Sequence, residues 1–167
     1  MITGLVEIQR FGEKQRDENQ RFRAWLKRHN FVERRLKAIA QNVGDAIDCT
    51  TCANCCRVAT TPITERDSER LARFLGMKVA DFLRQYTVES ADEGRILERN
   101  EQDCIFLQGN LCSVYEARPQ TCQLFPHLVK GNGSLLSRMW HMPDRAVYCP
   151  IVFNSLEQFK TETGFKK

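Results

Sequence analysis

The sequence has no long run of uncharged residues. Its longest stretch without Asp, Glu, Lys or Arg, from Cys104 to Tyr115, spans 12 residues, whereas a membrane-spanning helix needs roughly 18 or more apolar residues. The opening residues also lack the basic segment and apolar core of a secretory signal, because an acidic residue already stands at Glu7. We therefore expect no membrane span, no secretory signal and a cytoplasmic location.

The catalytic motifs of common hydrolases and nucleotide-binding enzymes are also absent. The sequence holds no Gly-rich phosphate loop, no G-x-S-x-G nucleophile turn and no H-E-x-x-H zinc motif. Each motif supplies the groups on which its chemistry depends, so these enzyme classes lack their residues here. No catalytic residue is predicted, and whether the protein is an enzyme stays open.

Cysteine is present at a moderate level. Eight cysteines among 167 residues fall below the roughly 8–10% that marks small disulfide-stabilised proteins. Leu, Ile, Val and Phe make up 42 residues, which is enough for a packed core without disulfides. In a reducing compartment, clustered cysteines more often bind metal or perform redox chemistry. The net charge of +4 is too small to predict nucleic-acid binding by itself.

The distribution of the cysteines divides the chain. The first 48 residues contain no cysteine and 17 charged residues, and all eight cysteines lie between Cys49 and Cys149. We predict a charged helical arm over residues 1–48 and a cysteine-cluster metal-binding domain over residues 49–167. Apolar residues at intervals of three and four predict one amphipathic helix from about Asp17 to Ile47. The residues of this stripe are Phe22, Trp25, Leu26, Val32, Leu36, Ile39, Ala40, Val43 and Ile47.

The arm is locally basic. Residues Arg10 to Lys37 include ten Lys or Arg and four Asp or Glu. A solvated outer helix face is the ordinary explanation of such a charge run. The alternative is a surface that meets phosphate or an acidic partner.

Short helices and hairpins are predicted beyond the first cysteines. Thr64 and Asp67 have the spacing of a capping box before a helix that ends at Gly76. A second short helix follows from Val79 to Tyr86, and the acidic residues 89–93 predict a loop.

The later cysteines fall in short elements of their own. Two apolar runs around a turn predict a hairpin over residues 104–115 that presents Cys104 and Cys112 together. Cys122 lies in a short turn or helix that ends before Pro126, and a last amphipathic segment follows Cys149-Pro150. The predicted fold class is α+β: a small, helix-rich irregular domain organised around a cysteine-ligated metal centre, with short hairpins and an N-terminal amphipathic helix.

The strongest motif is the segment Cys49-Thr-Thr-Cys52-Ala-Asn-Cys55-Cys56, a C-x2-C-x2-C-C run. Two residues between cysteines let the chain turn so that both thiolates reach one metal. Three cysteines in this step favour an iron–sulfur cluster over zinc, which normally takes cysteines in pairs. In bacterial ferredoxins a remote cysteine followed by proline completes the set, and Cys149-Pro150 has that form.

The vicinal cysteines leave two ligand arrangements open. In the first, Cys49, Cys52, Cys55 and Cys149 hold one centre, and Cys56, Cys104, Cys112 and Cys122 hold a second. In the other, one centre draws on both sets and the remaining thiols are buried or redox active. Four thiolates on Zn²⁺ or on a [4Fe-4S]²⁺ core leave a net charge of −2 that nearby cations should offset. Arg57 and Arg118 are the candidates.

The order of motifs resembles the CxxCxxCC cysteine-cluster family, also called the YkgJ family. The resemblance runs from Cys49 to Cys149 and includes the vicinal cysteines and the segment Tyr115-Glu-Ala-Arg-Pro-Gln-Thr-Cys-Gln-Leu-Phe-Pro126. It implies a zinc- or iron-chelating domain, and some members are described as iron–sulfur oxidoreductases. This sequence has Ala53-Asn54 where a glycine often lies, and Asn54 is expected to tolerate left-handed backbone angles there.

The predicted function is a cytoplasmic metal-binding protein with a [4Fe-4S] cluster or Zn²⁺ in a redox, electron-transfer or accessory role. An accessory role would involve a protein partner. The alternative is a structural zinc module that contacts protein or nucleic acid through its basic arm, and an enzyme is the weakest hypothesis. The candidate ligands are Cys49, Cys52, Cys55, Cys56, Cys104, Cys112, Cys122 and Cys149.

Overall fold

A computed structural model describes residues 1–101 and 103–166. Contacts divide the chain into two compact units. The helical unit consists of residues 1–48 together with residues 126–166, and the cysteine unit consists of residues 49–125. A unit boundary therefore falls after Asp48, where the composition changes. The division into a 1–48 arm and a 49–167 domain stays a prediction.

The helical unit is built from amphipathic helices around a shared apolar core. Those before residue 49 are α1 (Leu5–Lys14), α2 (Arg16–Arg28) and α3 (Glu33–Asp45), and those after residue 125, numbered in chain order, are α9 (Leu135–Arg138), α10 (Met142–Arg145) and α11 (Pro150–Thr163). The core includes Phe22, Leu26, Leu36, Leu156 and Phe159, each at most 2% exposed. The last segment, predicted to follow Cys149-Pro150 with no element type given, is helix α11, which has Pro150 at its first position.

The single helix predicted from Asp17 to Ile47 is wrong, because the chain leaves the helix at His29, where φ is −118° and ψ is 136°. Helix α3 begins again at Glu33. The break allows α2 to pack on α10 while α3 packs on α11. Val32, assigned to the buried stripe by its spacing, is 67% exposed because it lies in this connection.

The cysteine unit begins with short helices and continues with three antiparallel strand pairs. Its helices are α4 (Cys49–Cys52), α5 (Asn54–Val58), α6 (Glu65–Phe74), α7 (Val79–Tyr86) and α8 (Gln120–Leu124). Its strands are β1 (Thr87–Ser90), β2 (Gly94–Leu97), β3 (Arg99–Asn100), β4 (Asp103–Cys104), β5 (Leu107–Gln108) and β6 (Leu111–Cys112). The predicted α+β fold class is confirmed: helices dominate, and the described strands form the small pairs β1-β2, β3-β4 and β5-β6, with an antiparallel bridge from Pro62 to Ile96 of β2.

Several local predictions are confirmed in this unit. The Thr64 side chain accepts a hydrogen bond from the backbone N–H of Asp67, and the Asp67 carboxylate accepts one from the backbone N–H of Thr64, which is a capping box. Gly76 ends the helix with φ +69°, and α7 covers the predicted second helix. The loop predicted over residues 89–93 is too long, because Glu89 and Ser90 belong to the β1-β2 hairpin.

The core of the cysteine unit lies between α6, α7 and the strands. Its buried members are Leu71, Ala72, Phe82, Leu97, Phe106, Val114 and Ala117. Cys104 and Cys112 are partly buried and pack against this core, so their thiols lie at its edge. Among the described helices, none is both long enough and apolar enough to span a membrane.

Candidate metal centre

The first four cysteines lie on two short helices separated by one left-handed residue. Helix α4 ends at Cys52, Ala53 has φ 51° and ψ 11°, and α5 begins at Asn54. The backbone N–H of Arg57 donates to the carbonyl of Ala53, which fixes α5 directly after the turn. The left-handed residue is therefore Ala53, and the expectation that Asn54 takes this conformation is wrong.

Replacing Ala53 with glycine is expected to stabilise the protein by about 1 kcal/mol. A residue with a Cβ atom is strained in the left-handed region, whereas glycine is not. Ala59→Gly is the matched control, because Ala59 is extended, with φ −86°, and glycine there only adds unfolded-state entropy. The free energy of unfolding from urea denaturation measures both, and a loss of stability in Ala53→Gly would contradict the prediction.

Strand pairs carry the next two cysteines. Cys104 in β4 lies opposite Arg99, and Cys112 in β6 lies opposite Leu107. The predicted 104–115 hairpin is thus shorter, because Cys104 pairs with the preceding strand. In each case the backbone N–H two residues later, of Phe106 and of Val114, donates to the sulfur. Hydrogen bonds of this kind stabilise thiolates at metal centres.

Arginine side chains join the Cys49–Val58 segment to the strands. Arg57 donates to the Gly109 carbonyl at 2.8 Å and to Asn110 Oδ1 at 2.6 Å, and Asn110 Nδ2 donates to the Thr51 carbonyl at 3.0 Å. Arg99 donates to the carbonyls of Arg57 and Ala59. These bonds connect distant parts of the sequence and hold α4 and α5 beside β4 and β6.

Cys122 is positioned by the helix α6 cap. The buried Asp67 accepts hydrogen bonds from the backbone N–H groups of Thr64 at 3.0 Å and Gln120 at 2.9 Å. Arg70 pairs with Asp67 and donates to the Arg118 carbonyl. These contacts anchor the segment that enters α8, and the Thr61 hydroxyl donates to the Cys122 sulfur.

The pKa values of several thiols in the cysteine unit are shifted, and the charge of Cys56 contributes to the shifts of three others. A hydrogen bond from the Cys55 thiol lowers the pKa of Cys56 to about 7, against the effect of burial. Burial raises the pKa of Cys104 to about 11, raises that of Cys122 to about 12 and also raises that of Cys112. The charge of Cys56 adds to all three increases. We call Cys56, Cys104, Cys112 and Cys122 the four-thiol group.

Cations lie beside this group. Arg57 and Arg99 favour the thiolate form of Cys56, and Arg118 favours that of Cys112. Arg57 and Arg118 were predicted from the sequence to offset the thiolate charge, whereas Arg99 was not. Only the pairing of β3 with β4 places Arg99 opposite Cys104, and no local motif marks it. A positive surrounding of this kind compensates the negative charge of a thiolate metal centre.

The remaining predicted ligands have different surroundings. Cys49 is exposed, Cys52 and Cys55 are partly buried, and Cys149 is buried in the helical unit, where it precedes α11. Within residues 1–101 and 103–166, no three Cys, His, Asp or Glu side chains already form a set able to hold one ion. The assignment of all eight cysteines as ligands stays a prediction.

Residues 49–125 form a small, cysteine-rich unit with seven of the eight cysteines. Residues 48–150 match the CxxCxxCC family, described as "Putative zinc- or iron-chelating domain". The match covers more than half of the chain and includes all eight cysteines, so the protein belongs to this family. No solved structure matches the chain.

Proposed function

We propose that the cysteine unit holds a metal centre on its thiolates and that this centre serves a redox, electron-transfer or accessory role in the cytoplasm. The observation that carries the proposal is that hydrogen bonds from Arg57, Arg99 and Asn110 hold the segment of the first four cysteines beside the strands that carry Cys104 and Cys112. The shifts in pKa of Cys104, Cys112 and Cys122 agree with this placement, because the charge of Cys56 contributes to each of them. Four thiols from four separate elements of the fold match the ligand number of a zinc site or of a [4Fe-4S] cluster.

The surroundings of the four-thiol group fit such a centre. Backbone N–H groups donate to the sulfurs of Cys104 and Cys112, and three arginines lie beside the thiols. Cys104 and Cys122 must lose their protons when they bind metal, so binding releases protons. An iron–sulfur cluster, when bound, would supply one-electron redox chemistry. The chain itself supplies the thiolates, the N–H donors and the compensating charge.

Anaerobic purification followed by an absorbance spectrum and by iron, sulfide and zinc analysis of the same sample tests the proposal. We expect a brown protein in which iron is matched by acid-labile sulfide. Colourless protein with stoichiometric zinc would support the structural zinc module instead. Protein that retains neither metal, and takes up neither on anaerobic reconstitution, would contradict a metal centre of either kind.

If the protein binds zinc, the basic surface of the helical unit becomes the candidate interaction site. There Arg23 stacks on Trp140 at 3.9 Å and Lys27 lies 5.9 Å from the same ring. Trp140 is 58% exposed, and Trp and Arg are common at the centre of protein interfaces. An acidic protein partner is the occupant that this surface favours.

A further inference from the structure

Asn54 is a buried polar residue inside the cysteine motif. It is 5% exposed and lies between Cys52 and Cys55 as the first residue of α5. Its side-chain nitrogen Nδ2 is buried, and no acceptor among the described residues receives a hydrogen bond from it. A buried N–H donor without an acceptor destabilises the protein that contains it.

The backbone acceptors of this turn are already engaged. The Ala53 carbonyl accepts from the N–H of Arg57, the Cys49 carbonyl accepts from the N–H of Ala53, and the Cys52 carbonyl accepts from the Arg57 side chain. The acceptors that metal binding would create in this segment are anionic sulfurs, because ligand thiols lose their protons. Metal-bound sulfur accepts hydrogen bonds from neighbouring amides.

The left-handed Ala53 adds a second unfavourable feature at the same turn. Strained backbone residues persist where the surrounding structure requires them, and they cluster at functional sites. A strained turn that carries a buried donor between two cysteines is consistent with a segment arranged for a ligand.

We propose that the Asn54 side-chain amide donates a hydrogen bond to a sulfur atom of the metal centre and so acts as a positioning residue for a thiolate ligand. The inference rests on the proposed function, since it requires a thiolate-bound metal. It differs from the family resemblance, which concerns the cysteines, and it assigns a role to a side chain that lies between the second and third of them.

Titration of the full-length protein with Zn²⁺ and with Co²⁺ tests this assignment. Asn54→Leu keeps the branching of the side chain at Cγ and removes the donor. We expect its affinity for Zn²⁺ to fall about tenfold, as is typical when an outer hydrogen bond to a ligand is lost. The thiolate-to-Co²⁺ charge-transfer band should move to longer wavelength, because a sulfur without its hydrogen bond gives up electron density more easily.

Two further variants make the result specific. Asn54→Ser retains a short O–H donor and should recover part of the affinity and of the band position. Asn30→Leu makes the same exchange at an exposed site of the helical unit and should match the wild type in both readouts.

The outcomes separate the inference from the proposed function. Wild-type affinity and band position in Asn54→Leu would overturn the role of Asn54. Weaker binding with an unchanged band would also overturn it, because a general structural disturbance explains that result. A wild type that binds neither Zn²⁺ nor Co²⁺ and also takes up no iron and sulfide on anaerobic reconstitution would contradict the proposed function.

Discussion

Replacing Cys122 with serine is expected to remove metal from the four-thiol group and to lower the thermal stability of the protein as isolated. A serine hydroxyl stays protonated at neutral pH and does not replace a thiolate on zinc or iron. Structural zinc contributes on the order of 10 kcal/mol to the folding of zinc-finger peptides. Loss of the centre should therefore reduce stability far more than loss of one buried thiol. Metal content per chain and thermal unfolding are the measurements.

The metal content of Cys122→Ser also distinguishes the two ligand arrangements. If Cys49, Cys52, Cys55 and Cys149 hold a separate centre, the variant should retain about half of the wild-type metal. If one centre draws on both sets, it should retain almost none. The metal content of a variant that replaces Cys49, Cys52 and Cys55 together tests the first set in the same way: about half should remain with two centres and almost none with one.

Ser113→Ala is the matched control for Cys122→Ser. Ser113 follows Cys112, and its hydroxyl donates to the Phe106 carbonyl at 3.1 Å, so the change disturbs the surroundings of another cysteine of the four-thiol group without removing a thiol. It should keep the full metal content. Wild-type metal content in both Cys122→Ser and the triple cysteine variant would contradict thiolate ligation as assigned here.

Features governed by neighbouring residues were predictable from the sequence. The capping box of Thr64 and Asp67, the helix end at Gly76 and the spacing of the cysteine motif each depend on contacts within a few residues. The family resemblance rests on the same local motifs. These elements could be predicted because their geometry depends on residues that are close together in the sequence.

Features governed by distant partners were not predictable. The β1-β2 hairpin carries the charged pair Glu89 and Arg95 on its exposed side, which hides the apolar alternation that marks strands. The placement of α5, which carries Cys56, beside the strands that carry Cys104 and Cys112 depends on hydrogen bonds from Arg57 and Arg99 to residues far away in the sequence. The break at His29 depends on packing between helices, and spacing alone does not reveal it.

Replacing Asp67 with asparagine is expected to lower the free energy of unfolding by about 3 kcal/mol at pH 7. The Asp67 side chain is 2% exposed and accepts hydrogen bonds from Thr64, Gln120 and Arg70. An amide places an N–H donor among these donors and leaves Arg70 without its carboxylate, and removing one partner of a buried pair is costly. Because the Gln120 N–H is part of this network, the variant should also bind metal more weakly through Cys122.

Asp81→Asn is the matched control. Asp81 forms the same i, i+3 pair with Arg84 in the first turn of α7, but the two side chains are 39% and 70% exposed. Exposed pairs of this kind contribute at most about 1 kcal/mol. A loss of stability as large in Asp81→Asn as in Asp67→Asn would show that burial is not the cause.

The pH dependence gives an independent check on Asp67. Burial raises the pKa of this carboxyl, whereas hydrogen bonds from Thr64, Gln120 and Arg70 lower it. The hydrogen bonds together have the larger effect, so the native pKa lies below the ordinary value of 3.8. The stabilisation is therefore complete above about pH 4 and is lost as the pH falls through the native pKa. The stability difference between wild type and Asp67→Asn should shrink in that range. A difference that stays constant from pH 7 to acid unfolding would contradict a stabilising role for the ionised carboxylate.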